Sequence, residues 1–274
     1  MPEGPEIRIE ADRIAAVLVE RPLEEVWFYP RGLKRYAREL VGQQVRAVDT
    51  RGKAMLTRFE QGLVLYTHNQ LYGRWYVRPR GELPQTNRSL RVALHTAESS
   101  ALLYSASEIQ VLPDTELATH PFLARLGPDA LDATLDWKDV AERLRSVSFR
   151  RRSLSALLLD QGFVAGIGNY LRSEILFFSR VHPALRPMDL DAAAIRTLAR
   201  NILLITRRAY DTRGVTNPPR RVAALKREGA KRGRYRFAVF ARDRRPCYDC
   251  ATSVIRETLG GRRVYWCPQC QPRP

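Results

Sequence analysis

Apolar residues recur along the chain with two different periods, and the change from one to the other divides it. Over residues 5–20, Ile7, Ala11, Ile14 and Leu18 fall at i, i+4, i+7 and i+11, one face of a helix with 3.6 residues per turn. Arg8, Asp12 and Arg13 take the more polar side. After Pro22 the pattern becomes alternation or short apolar runs. It predicts strands at Val26–Tyr29, Val45–Asp49, Ala54–Phe59, Leu63–His68, Trp75–Arg78, Leu90–His95 and Ala101–Ser105. Glu60-Gln61-Gly62 and Ala97-Glu98-Ser99-Ser100 supply turns between two of the pairs. Many short strands with tight turns imply an antiparallel sandwich or barrel, with the first helix against its end or edge.

Residues 113–135 lose the strand pattern. Pro113, Pro121, Gly127 and Pro128 punctuate them, which places a domain boundary near residue 130. Beyond it the period is helical. Asp136 can cap a helix to about Arg145, and a second helix is predicted over Ser153–Gln161. A glycine-rich stretch, Gly162 to Asn169, separates that helix from another over Tyr170–Val181. Asp189 or Asp191 starts a longer helix through about Tyr210. Residues 212–234 carry eight basic residues against one acidic residue, with two adjacent prolines. They read either as a solvated linker or as a mobile basic loop that closes over nucleic acid. Tyr235–Phe240 is strand-like again. Ile255–Leu259, Gly260-Gly261 and Arg262–Trp266 predict a β-hairpin whose two-glycine turn suits the primed turn types. The fold class is therefore α+β: 1–129 a helix-bearing antiparallel sandwich or barrel, 130–234 a helical region ending in the basic stretch, 235–274 a strand-like segment with the β-hairpin.

Charge narrows the class of partner. Lysine and arginine total 46 against 29 acidic residues in 274, a formal net charge of +17. That surplus favours a polyanion, most simply nucleic acid. A basic membrane-surface protein is the competing reading, but the sequence shows no anchor, no signal peptide and no apolar run of about 20 residues. No membrane is expected, and the chain is expected to be a cytoplasmic, nucleoid-associated monomer. Its four cysteines, Cys247, Cys250, Cys267 and Cys270, form two C-x-x-C pairs separated by sixteen residues. That spacing in a reducing compartment indicates one structural Zn2+ held by four thiolates. Four thiolates leave no open position, so this zinc should not activate water.

Candidate chemistry begins at the chain start, Met1-Pro2-Glu3-Gly4-Pro5-Glu6. A proline after an initiator methionine normally permits its removal, leaving Pro2 with a free secondary amine. Such an amine attacks electrophilic carbon, and terminal amines titrate at roughly 7.7 to 8.0. Glu3 follows as a proton-transfer carboxylate, at a helix start that favours negative charge. The helix would also hold a terminus that otherwise frays. Lys53 sits in the turn Arg51-Gly52-Lys53, either solvated or offered to a ligand that the glycine lets approach. Asn69-Gln70-Leu71-Tyr72-Gly73 puts a leucine and an aromatic ring where polar turn residues are expected. Leu71 and Tyr72 either tuck into the core or, in a DNA-binding protein, wedge between bases. In the glycine-rich stretch, Gly166 and Gly168 free the backbone for close approach, and amides at the next helix start can grip a phosphate. Asn169 can add a side-chain bond or cap that helix. Glu174 would anchor that loop's backbone amides or pair with Arg172. Arg262, at the hairpin tip, is either solvated or a bidentate phosphate clasp.

Together these stretches resemble the formamidopyrimidine-DNA glycosylase/endonuclease VIII family along essentially the whole chain. The resemblance is carried by Pro2–Glu6, Arg51–Lys53, His68–Gly73, Asp160–Asn169 and the hairpin ending Tyr265-Trp266-Cys267-Pro268-Gln269-Cys270. Gly4, Gln70-Leu71-Tyr72 and the Tyr-Trp before Cys267 look like its bacterial endonuclease VIII branch. The formamidopyrimidine branch more typically has leucine at position 4. Ala251 departs from the glycine that often follows the second cysteine. The resemblance implies a β-sandwich, a helix-two-turn-helix domain and a zinc-finger β-hairpin joined around a hinge. It implies a bifunctional DNA glycosylase/AP lyase acting on damaged double-stranded DNA. By the same resemblance, Pro2 attacks C1′ of the damaged nucleoside, Glu3 protonates the sugar ring oxygen and Lys53 stabilises phosphate. Gln70, Leu71 and Tyr72 fill the vacated stack, while Asn169 and Arg262 bind flanking phosphates. Oxidised pyrimidines are the expected lesions, with 8-oxoguanine and formamidopyrimidine as the alternative. A non-enzymatic zinc-containing DNA-binding protein is the alternative from another class.

Overall fold

A computed structural model describes residues 2–273; the expected loss of Met1 falls outside the described residues. The chain divides into two compact units, the first ending at Arg125 and the second starting at Leu126.

In the first unit, helix α1 runs Gly4–Leu18, with Pro5 in its first turn and Ile7, Ala11, Ile14 and Leu18 buried. Strand β1 (Glu25–Phe28) and helix α2 (Lys34–Leu40) follow. The remaining strands are β2 (Val45–Arg51), β3 (Ala54–Phe59), β4 (Leu63–His68), β5 (Arg74–Pro79), β6 (Leu90–His95), β7 (Ser99–Tyr104) and β8 (Glu108–Pro113). They form two four-stranded sheets, β2-β3-β4-β8 and β1-β6-β7-β5, antiparallel throughout. Val48, Phe59 and Leu65 of one sheet share a core with Phe28, Trp75, Leu94 and Leu103 of the other and with the apolar face of α1. α1 touches β2 and β3 on one side and β5 and β7 on the other. Each large aliphatic side chain buried this way stabilises the unit by about 1.5–3 kcal/mol, so the helix that carries Pro2 and Glu3 is fixed by its own apolar stripe.

β3 and β4 are buried on both faces. The outer face is covered by residues 114–125, where His120 stacks on Tyr66 and Phe122 lies edge-on to His68. α2 was not expected, although Leu33, Tyr36, Ala37 and Leu40 fall at i, i+3, i+4 and i+7; Leu40 is buried and the other three pack half-buried against the core. β8 was not expected either. It is an edge strand paired only with β4.

The second unit contains α3 (Trp137–Arg145), α4 (Leu154–Leu157), α5 (Asn169–Phe178), α6 (Ala192–Asp211), α7 (Pro219–Arg227), α8 (Arg232–Tyr235) and the hairpin β9 (Ile255–Leu259) and β10 (Arg262–Trp266). Asp136 and Asp191 are side-chain caps, accepting from Lys138 N and Ala194 N at 2.7 Å each. Val140 and Leu144 of α3, Leu154 and Leu157 of α4, Leu171 and Ile175 of α5 and Ile195, Leu198, Ile202 and Ile205 of α6 meet in one core. Tyr170 through Phe177 are all buried, which makes α5 the central helix of the unit.

Three expectations are corrected. The helix foreseen over Ser153–Gln161 is a single turn, because side chains after it capture the backbone. Asp160 Oδ1 accepts from Gly162 N at 2.8 Å; Gln161 donates to Ile167 O at 2.9 Å and accepts from Gly166 N at 3.1 Å. Residues 212–234 are neither linker nor loop. They hold α7, begun by Pro219 and seated by buried Leu225, and the start of α8. Tyr235–Phe240 is not a strand, since its amides turn inward to one buried carboxylate, Glu174. Among the described residues, no helix is long and apolar enough to cross a membrane.

Candidate active site and nucleic-acid interface

In the first unit, Pro2 is half-buried and leads directly into α1. Glu3 is the N-cap residue, only 4% exposed, and its amide donates to Glu6 Oε2 at 3.1 Å. The Glu6 carboxylate thus satisfies one of the amide donors that every helix start leaves open. Pro2 and its carboxylate neighbour are placed by helix geometry and not by a loose terminus.

Lys53 is half-buried at the tip joining β2 and β3, where Gly52 adopts φ 62°. Ala54 pairs with His68, so the Lys53 tip and the Asn69–Gly73 connection lie at the same end of the sheet. Lys53 is close enough to push the His68 pKa down, although burial is the larger cause and Glu108 opposes it. Glu108 also accepts from Tyr66 Oη at 3.1 Å and from Gln70 Nε2 at 3.0 Å, while Ser107 Oγ donates to Gln70 Oε1 at 3.1 Å.

The Asn69–Gly73 connection closes on itself, with Gly73 N donating to Asn69 O at 2.7 Å. A Cβ at Gly73 would stand 2.6 Å from the Asn69 backbone, so only glycine fits. Gln70 takes φ 47°, a left-handed conformation uncommon for side-chain-bearing residues. Leu71 is 59% exposed and Tyr72 68%, so neither tucks into the core. Asn69 is buried beneath them and donates through Nδ2 to Glu10 Oε2 of α1 at 2.7 Å.

In the second unit, the two-turn segment is clamped from outside. Arg143 donates to Gly162 O at 2.7 Å and Phe163 O at 2.9 Å. Gly127 passes so close that a Cβ would meet Gly162 O at 2.5 Å. Gly166 takes φ 94°. Gly168 is the N-cap and Asn169 the first helical residue, so Asn169 is not itself the cap. The Asn169 Oδ1 accepts from Arg172 at 2.7 Å, which leaves its Nδ2 amide group at a helix N-terminus. Fully buried Arg172 also donates to Ser155 and, at 2.8 Å, to Arg263 O. It therefore ties the helix-two-turn-helix to the strand that begins with Arg262.

Glu174 does anchor backbone amides, but those of residues 238–240 and not those of the glycine-rich stretch as foreseen. Its carboxylate accepts from the amides of Ala238, Val239 and Phe240, each at 2.8 Å, and from the Thr216 hydroxyl. Arg262 is exposed, directly after a turn in which Gly260 and Gly261 both have positive φ, 55° and 74°. This is the foreseen primed turn. At the base of the hairpin the four cysteine sulfurs lie within 4.8 Å of one another. Cys250 and Cys267 are 3.4 Å apart and Cys247 and Cys270 3.9 Å. A tetrahedral thiolate site with metal–sulfur bonds of about 2.3 Å has sulfur–sulfur edges of about 3.8 Å. The cluster can coordinate a metal ion.

Two family models match. The formamidopyrimidine-DNA glycosylase N-terminal domain covers residues 1–107, and the formamidopyrimidine-DNA glycosylase H2TH domain covers 126–218. Endonuclease 8 of Escherichia coli (strain K12 / DH10B) is 49% identical over 271 residues, 99% of this chain and 100% of its own. The chain belongs to the formamidopyrimidine-DNA glycosylase/endonuclease VIII family. Endonuclease 8 of Salmonella enteritidis PT4 is 48% identical over the same shares. In fold, the chain matches crystal structures of Lactococcus lactis Fpg (MutM). In one it is bound to DNA containing an oxidised pyrimidine, with TM-score 0.81, 18% identity and 99% and 100% of the two chains covered. In another it is bound to DNA containing an abasic site, with TM-score 0.81, 19% identity and the same coverage. As a member of this family the protein is a bifunctional DNA glycosylase/AP lyase of base excision repair.

Sequence reasoning did not single out Glu10, Glu108 or Arg172's link to the hairpin. Glu10 interrupts the apolar face one turn after Glu6, a signal that could have marked it. The Arg172–Arg263 contact joins residues 91 apart in sequence, and no local pattern announces it.

Proposed function

We propose that this glycosylase excises oxidised pyrimidines, the branch reading supported by its near-half identity with proteins named Endonuclease 8 over their full length. Duplex DNA is the substrate, and the nucleotide leaves the stack before chemistry. With Met1 removed, the Pro2 nitrogen lone pair forms a bond to C1′. The C1′–base bond breaks, and its electrons leave with the base, which takes up a proton. Glu3 protonates the ring oxygen as the sugar opens, giving an iminium between Pro2 and C1′. That cation acidifies the C2′ proton; its loss expels the 3′ phosphate, and a second elimination expels the 5′ phosphate. Lys53 stabilises phosphate charge at this step.

The observation that carries this reading is Glu3, a 96%-buried carboxylate directly beside Pro2 on a helix locked into the core. Gln70, Leu71 and Tyr72 fill the vacated stack, and Asn169 and Arg262 hold flanking phosphates. The division of labour is 1–129 for catalysis, 130–234 for DNA binding and 235–274 for the finger. Cys247, Cys250, Cys267 and Cys270 hold one zinc ion. When bound, it cross-links the base of the hairpin and supplies no reacting group, since four thiolates close its coordination. The protein works as a cytoplasmic monomer.

Borohydride reduction on abasic DNA tests the covalent step, and side-by-side incision of thymine glycol and 8-oxoguanine duplexes tests the lesion class. A trapped adduct and preference for thymine glycol are expected. No adduct, or retained Met1 in active protein by mass spectrometry, overturns the mechanism; preference for 8-oxoguanine opposite cytosine overturns the lesion assignment.

A further inference from the structure

We propose that Glu10 is a positioning residue for the Asn69–Gly73 loop, its carboxylate holding the buried Asn69 amide and so fixing exposed Leu71 and Tyr72 relative to the helix that carries Pro2 and Glu3. The inference rests on the reading of that loop as the wedge.

Three observations meet here. The loop presents two apolar side chains to solvent and is strained at Gln70, so its stance needs support from below. Asn69 is only 3% exposed, and its side-chain amide donates to Glu10 Oε2 at 2.7 Å across 59 residues of sequence. Glu10 lies one helical turn beyond Glu6, whose own carboxylate accepts the Glu3 amide. One side of α1 thus runs from the reactive end to the underside of the loop through three carboxylates.

Glu10 lines a polar recess of about 220 Å³ with Arg13, Arg74, Tyr76 and Arg78. Burial raises its pKa to about 7, with Glu6 adding to the rise and Asn69, Arg74 and Arg13 opposing it. The groups facing it are therefore Glu6 and Arg13 from its own helix, Asn69 from the loop and Arg74 from β5. Both protonation states can accept from Asn69, but the ionised one makes the stronger bond. Hold on the loop should tighten as pH rises through 7.

The readout is the ratio of single-turnover excision rates for one thymine glycol lesion in duplex and in single-stranded DNA. The ratio cancels the pH dependence of the chemistry common to both. Losing a hydrogen bond to a charged group should lower the ratio for Glu10→Ala about tenfold at pH ~8. Glu10→Gln keeps an acceptor for Asn69 in a neutral side chain of the same shape, so it should rescue most of that loss. Its ratio should stay flat between pH ~6 and pH ~8, while that of the wild type rises about threefold. In an Asn69→Ala background, Glu10→Ala should have no further effect on the ratio.

Leu71→Ala separates the two readings. If it lowers the ratio and Glu10→Ala does not, the positioning role is overturned and the wedge stands. If it leaves the ratio unchanged, the wedge reading falls and this inference with it. Equal loss on both substrates in Glu10→Ala, or the same pH profile in Glu10→Gln and wild type, also overturns the inference.

Discussion

Each unit carries a helix that starts at a candidate site residue and holds a glutamate inside the fold, yet the two glutamates are used differently. On α5, Glu174 is fully buried and receives four hydrogen bonds: three backbone amides and the Thr216 hydroxyl. On α1, Glu10 is half-buried and receives one, from Asn69. Saturating a buried carboxylate with fixed donors holds its charge in place and makes it structural. Leaving it a single donor, on a loop, makes its charge responsive. By this criterion the second unit is rigid beside its proposed phosphate grip, and the first has an adjustable joint under its proposed wedge.

The largest expected effect of that contrast is in stability. Glu174→Ala strands three buried amides at once and should destabilise the protein by about 3–5 kcal/mol, read as a lower denaturant midpoint. Zinc retention should fall with it, because residues 238–240 pack in the same cluster as Cys247 and Cys267. A loss no greater than that of an ordinary surface substitution would break the comparison.

Glu10→Gln should have the opposite sign. The Glu10 pKa rises from 4.5 to about 7 on folding. Between those values the folded state binds the extra proton, so the group's contribution declines as pH rises through that window. Above pH ~7 the wild type holds an incompletely compensated charge. Glu10→Gln should therefore be more stable than wild type by about 3 kcal/mol at pH ~8 and equal to it below pH ~4. Denaturant titrations at the two pH values check it. A Glu10→Gln variant less stable at high pH would show that the charge is well paired, as Glu174's is.

The elements were legible wherever local pattern and core agreed. The α1 stripe, β3, β4, β6 and both strands of the hairpin follow directly from apolar spacing and the Gly260-Gly261 turn. What was not legible depends on contacts distant in sequence. Tyr235–Phe240 has the composition of a strand, but Glu174, more than 60 residues earlier, draws its amides inward. Residues 212–234 look too basic to fold, yet α7 needs only Leu225 to seat it and a charge pair from Arg221 to Asp249 to tie it down. In the candidate site, Pro2, Glu3, Lys53, Asn169, Arg262 and the cysteines stand out through motif and turn chemistry. Their supports, Glu10 under Asn69 and Arg172 under Arg263, reach partners 59 and 91 residues away; Glu10 breaks the apolar stripe of α1, but no local pattern names either partner.

The smallest effect sharpens the rigid side of the comparison. Arg262 is exposed at the hairpin tip, outside the cysteine cluster and outside the Arg172 network. A side chain that acts only by reaching a phosphate contributes nothing to holding the fold. Arg262→Ala should leave zinc content and the denaturant midpoint unchanged while weakening duplex binding by about 1 kcal/mol, roughly fivefold. Because one phosphate contact disappears, the dependence of log Kd on log salt should become shallower by about 1. Affinity across a salt series, alongside metal content of the same preparations, checks all three. Loss of zinc in Arg262→Ala would mean that the tip supports the cluster and is not merely carried by it, and unchanged binding with an unchanged salt slope would take the phosphate contact away from Arg262.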